Sequence, residues 1–354
     1  MPEDIALRFS RQEYADRLDK TRAAMEAAGI DLLILSDPSN MAWLTGYDGW
    51  SFYVHQAVVV GPHGNPIWFG RGQDLNGAKR TVYMGLDDLV GYEDHYVQSM
   101  ERHPMEVLCA EIVTRGWARG TVGVEMDNYY FSAKAFATLQ TGLPNVRFQD
   151  ATALVNWQRA VKSPQELDYM RKAARIVESQ MKRIFEIAEP GVRKCDLIAE
   201  IYDAGLRGTD GHGGDYAAIV PLVGAGVDGS APHLTWDDSP LRDNEGVFFE
   251  IAGCYHRYHC PLTRTAHFGE PPELFRRAEA AVQDAWSYAE EREQFGKPIS
   301  AHQAIRHDLA EVKTRVAAMR HMLYHAAWLT DQGHNSTVET CMAKLFCCEG
   351  AAEV

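Results

Sequence analysis

The stretch Gly229–Thr265, GSAPHLTWDDSPLRDNEGVFFEIAGCYHRYHCPLTRT, holds the residues best suited to chemistry. Pro232-His233 precedes a polar turn, and an apolar run, Val247-Phe248-Phe249-Glu250-Ile251, then carries a single acid. An imidazole and a carboxylate brought together across a strand-turn-strand unit suit proton transfer, or attack on a carbonyl-like carbon. A surface histidine and a strand-edge glutamate fit the same spacing. Cys254, His256, His259 and Cys260 follow on one hairpin. They offer a transition-metal alternative, although they lie closer together than familiar zinc spacings allow.

These residues need a scaffold, and the rest of the chain supplies one. The sequence has 354 residues, 46% apolar and 24% charged, enough for two domains with cores. A net charge of -14 argues against nucleic acid and anionic membrane surfaces as partners. The start, MPEDIALRFS, lacks a basic segment followed by an apolar run, and no stretch approaches the roughly 20 apolar residues that span a bilayer. Seven scattered cysteines suit reduced thiols and a cytoplasmic location.

Up to about residue 155, helix and strand signals alternate as in an α/β domain. Arg8–Gly29 reads as a helix stopped by glycine, Asp31–Ser36 as a buried strand, and Ala57–Val60 with Pro66–Phe69 as a hairpin. Between Gly46 and His55 lies an aromatic loop with Trp50, Phe52 and Tyr53, suited to a core or to a pocket wall. A second unit starts near Asn156. Leu167, Met170, Ala174, Val177, Met181, Ile184 and Ala188 recur at helical spacing, a second helix comes next, and Ala217–Val223 reads as a strand. Gly224–Gly229 spells G-x-G-x-x-G, but Pro232 comes at once where a dinucleotide site needs a helix to begin. Beyond about residue 278 the pattern turns helical, with one apolar face along Ser300–Leu329.

Residues from about 10 to 270 resemble the creatinase/aminopeptidase P superfamily, and within it the ectoine hydrolases. The resemblance rests on Asp37–Tyr53, Gly70–Asp74, Gly123–Tyr130, Gly208–Gly211 and Pro232–Thr265 taken together. It implies an α/β N-terminal domain (1–155) and an α+β pita-bread domain. Here that domain is reduced to one half (156–277). Metallopeptidases of the superfamily hold two metal ions, and their two aspartate ligand positions match Glu250 and Pro261. Proline has no ligand atom, so the resemblance implies metal-independent catalysis with no cofactor. Glu250 and His233 are then the catalytic pair. Trp50, Phe52, Tyr53, Tyr216, His259 and Arg264 are the substrate-binding positions, although Arg264 equally fits a structural ion pair. The implied substrate is a small cyclic amidine, ectoine or hydroxyectoine, opened to N-acetyl-diaminobutyrate by a homodimer. An Xaa-Pro aminopeptidase-like hydrolase is the alternative within the superfamily.

Residues 285–354 resemble instead the all-α C-terminal domain of acyl-CoA dehydrogenases. Arg292 and Gln303 match positions that help hold FAD in that family, but its β-domain and catalytic base are absent. The expectation is therefore an α/β domain, half a pita-bread and a helical tail. Its activity is impaired by the missing half. A non-catalytic fusion product and an acyl-CoA dehydrogenase fragment are the competing readings.

Overall fold

Helix starts and stops obey local chemistry. Ser10 accepts from the Glu13 amide and opens α1 (Arg11–Ala28), and Gly29, at φ 67°, closes it. Asp37 caps α2 (Pro38–Thr45) through the Ser39 and Asn40 amides. The computed structural model describes residues 5–294 and 297–298. Contacts divide the chain into Met1–Gln165 and Glu166–Val354. The division lies beyond the boundary read near 155. Gln158 meets Thr21, Arg159 meets Asn40, and Ser163 meets Glu13, so the residues from 158 to 163 are tied to the first unit.

In the first unit β1 (Leu32–Leu35), β2 (Ala57–Val60), β3 (Ile67–Arg71), β4 (Leu89–Tyr92), β5 (Thr121–Val124) and β6 (Arg147–Asp150) form one mixed sheet, ordered β4-β3-β2-β1-β5-β6. Helices α3 (Leu75–Thr81), α4 (Pro104–Thr114), α5 (Ala133–Gly142) and α6 (Leu154–Ala160) complete the unit. Strands β1, β2 and β5 are buried throughout, as expected where both sheet faces are covered. Just past β5, the buried Glu125 accepts from the Ser36 and Asp37 amides and from Asn40. Burial pushes its pKa up against those hydrogen bonds.

In the second unit α7 (Pro164–Ile187) and α8 (Lys194–Arg207) cover one face of a three-stranded antiparallel sheet. Its strands are β7 (Leu222–Ala225), β8 (Gly246–Tyr255) and β9 (Tyr258–His267). Val247, Phe249 and Ile251 meet Val177, Met181, Ile184, Leu197 and Ile201 in one core. Gly253 lies where a Cβ would collide with the Ala173 carbonyl and the Val177 amide. β7 is shorter than the strand read over 217–223. Pro221 has no N–H to give a ladder, and the Ala218 amide bonds His259 instead. The G-x-G-x-x-G run becomes the end of β7 and a 3-10 turn, Gly226–Ser230, with no helix for a pyrophosphate. Helix α9 (Glu273–Glu291) runs through the region where the composition changes. Gln303 and the helix read over 300–329 lie outside the described residues, and so does most of the expected all-α tail.

Candidate active site

The β8–β9 hairpin positions the acid. Its two-residue turn, His256-Arg257, has φ of 51° and 68°, the left-handed pair of a type I′ connection. That turn fixes the register: Glu250 pairs with Leu222 on one side and Thr263 on the other. Alternation along β8 then does the rest. Val247, Phe249 and Ile251 go into the helix-covered core, so Phe248 and Glu250 point to the opposite face. There Glu250 is half-buried, and among the described residues its carboxylate has no hydrogen-bond or ion-pair partner. A half-buried acid without a partner is available to a substrate.

Pro261 pairs with Ala252 and lies on the same face as Glu250, one step diagonal to it. The two positions that the resemblance matches to metal-binding aspartates, Glu250 and Pro261, are therefore neighbours on one face. No group of three or more His, Cys, Asp or Glu able to hold a metal ion occurs among the described residues. The Cys254–His256–His259–Cys260 alternative accordingly does not assemble.

His233 lies in the connection between β7 and β8, exposed, with no side-chain partner among the described residues. Arg264 pairs with Phe249, which puts it on the opposite face from Glu250, and its guanidinium donates to the Thr263 carbonyl at 2.8 Å. Register thus removes Arg264 from the acid's side of the sheet. His259 is occupied too. Its Nε2 accepts from the Ala218 amide at 2.9 Å, and its Nδ1 meets the Arg257 carbonyl at 3.0 Å, the pattern of a neutral ring. Burial lowers its pKa. His259 fastens the 215–221 segment to the hairpin and has no ring nitrogen left for a substrate carboxylate. Tyr216 carries Arg257 on its ring at 3.8 Å. With Gln180, Tyr202, Ala252 and Cys254 it lines a cavity of about 20 Å³, room for one water.

Trp50, Phe52 and Tyr53 belong to the first unit and form one aromatic cluster. Trp50 lies 5.2 Å from Phe52 and 6.2 Å from Tyr53, and Phe52 lies 5.9 Å from Tyr130. Trp50 is 62% exposed and Tyr53 56%, an apolar surface larger than isolated residues would give. Arg292 is exposed at the end of α9. Three contacts of buried charged residues left no signal in the residue spacing. Lys194 holds Asp228 and Asp237, and the buried Glu166 accepts from the Tyr258 hydroxyl at 2.7 Å.

Comparison with known proteins places the fold and the family. A prolidase from Thermococcus sibiricus superposes with a TM-score of 0.69 at 18% identity, covering 87% of this chain and 80% of that one. The fold is thus of the creatinase/prolidase class. The Creatinase/Prolidase N-terminal domain family matches residues 17–161. The ectoine hydrolase of Halomonas elongata is 56% identical over 284 residues, 78% of this chain and 71% of the relative. The chain belongs to the ectoine hydrolase family. The Acyl-CoA dehydrogenase, C-terminal domain family matches residues 273–354. An acyl-CoA dehydrogenase of Bacillus subtilis is 47% identical over 76 residues, 22% of this chain and 20% of that one. The second match begins where α9 begins.

Proposed function

We propose that the chain is a hydrolase of the ectoine type, acting on the amidine carbon of a small cyclic substrate, ectoine or hydroxyectoine. The observation that carries this reading is the Glu250 carboxylate, without a partner among the described residues and on the hairpin face opposite the helices, in a chain 56% identical to an ectoine hydrolase. A protonated cyclic amidine has an electrophilic carbon between two nitrogens, and the Glu250 carboxylate adds to it. The carbon–nitrogen bond then breaks, and His233 delivers the proton the departing ring nitrogen requires. Water resolves the adduct to N-acetyl-diaminobutyrate. The cluster of exposed Trp50 and Tyr53 with half-buried Phe52 suits stacking on the planar amidine, contributed across a homodimer. Catalysis needs no divalent metal on this reading, because Pro261 replaces a ligand.

The same reading includes weak turnover. Residues from 273 onward match a different family from the one that supplies Glu250. The remaining wall of the family's pocket is then missing. The test is ring-opening of ectoine by the purified chain, measured as N-acetyl-diaminobutyrate, in wild type and Glu250→Gln. Slow product formation lost in the variant supports the reading. Product formation unchanged by Glu250→Gln overturns it.

A further inference from the structure

We infer that Lys194 is the positioning residue for His233: a buried cation that grips both ends of the segment carrying that imidazole. The inference rests on the reading of His233 as the proton carrier. Lys194 opens α8 and is 4% exposed. Its ammonium donates to Asp228 at 3.0 Å and to Asp237 at 2.9 Å. One acid precedes His233 in the chain and the other comes after it. The backbone repeats the pattern. The Lys194 amide donates to the Ser239 carbonyl at 3.0 Å, the Gly191 amide to the Leu241 carbonyl at 2.9 Å, and the Leu241 amide back to the Val192 carbonyl at 2.9 Å. On the other side of His233, the Ala231 amide donates to the Asp228 carbonyl and the Leu234 amide to that of Ala231, both at 3.0 Å.

The imidazole itself has no side-chain partner among the described residues, so its position is set by the ends of its loop. Those ends meet at one nitrogen. Lys194 is also a costly residue where it stands. A lysine in the first turn opposes the helix dipole, and a buried ammonium loses its hydration. Burial works against its charge, but the hydrogen bonds to Asp237 and Asp228 outweigh it and leave its pKa raised. The neighbouring cation does not compete for these acids, because the Arg193 guanidinium is held by Asp196 at 2.7 Å. Trp236 is braced against Tyr202 of α8, with ring centroids 6.5 Å apart, so the loop rests on the same helix that Lys194 opens.

The test compares Lys194→Met, Lys194→Arg and Asp237→Asn in the full chain. Amide exchange across 231–238 is expected to rise about tenfold or more in Lys194→Met, with β8 unchanged and partial recovery in Lys194→Arg. Asp237→Asn releases one end only and gives an intermediate rise, which keeps the test open if Lys194→Met fails to fold. For ectoine ring-opening, kcat is expected to fall about tenfold or more while KM stays within about twofold. Combining Lys194→Met with His233→Ala should add no further loss. Unchanged exchange in Lys194→Met and Asp237→Asn overturns the inference. So do losses that multiply with His233→Ala. A wild-type chain that opens no ectoine overturns the functional reading instead, and the exchange measurement then still decides the clamp.

Discussion

At the level of single residues, two arrangements govern what pH and substitution do. Glu250 has no competing partner among the described residues, so Glu250→Gln removes the reacting oxygen without disturbing a network. Ring-opening should fall roughly a thousandfold or more while substrate binding persists, which isothermal titration would register. His103 behaves in the opposite way. It caps α4, its Nδ1 accepting from the Met105 amide at 3.2 Å, and its ring lies 4.5 Å from that of His55. Burial, then His55 and Lys134, lower its pKa to about 4. Because the folded ring resists a proton that the unfolded chain accepts near pH 6.5, its contribution is complete above pH 6.5 and is lost as pH falls towards 4. The loss is on the order of 3 kcal/mol. Protection of the α4 amides at about pH 4.5 should therefore fall relative to about pH 7, and His103→Asn, which keeps a cap and removes the titration, should flatten that difference. Asp237, held near 2 by Ser239 and Lys194, has the complementary window. Its contribution is present above the usual aspartate range and is lost as pH drops towards 2.

At the level of elements, turn chemistry and alternation made much of this legible from the sequence. The Val247–Ile251 run was readable as an apolar strand carrying one acid, and α7 from its spacing, while the face that Glu250 takes follows from the packing of Val247, Phe249 and Ile251. The β7 limit was not, because it depends on where the Ala218 amide finds an acceptor, and that acceptor is His259 on another strand. Arg264 and His259 looked equally ready for a carboxylate in one dimension. Register with Phe249 and two backbone bonds decide them, and neither can be read from spacing. The Lys194 clamp left only a faint mark, a cation at a helix start where an acid is favoured. Conflicts of that kind mark sites where tertiary contacts override local preference. Gly253 gives an element-scale prediction. Gly253→Ala forces β8 off α7 and should destabilise the second unit by about 1–3 kcal/mol, read as a lower urea midpoint by circular dichroism.

At the level of the whole molecule, two families meet in one chain, and each makes a separable prediction. If catalysis relies on Glu250 with proline at the neighbouring ligand position, EDTA should leave any ring-opening unchanged; loss of activity on chelation counts against it. If residues 273–354 carry family resemblance without a flavin site, the purified chain should be colourless, and a bound yellow chromophore would reverse that reading. Among the described residues, no helix is long and apolar enough to cross a membrane. Pro261 also has a meaning beyond ligand chemistry. It occupies a pair in β9 whose backbone faces away from β8, so the outer rim of this sheet, as formed by the described residues, lacks one donor midway along its length. A stray strand docking there would find its ladder interrupted. Pro261 thus discourages edge-to-edge stacking of copies into fibrils.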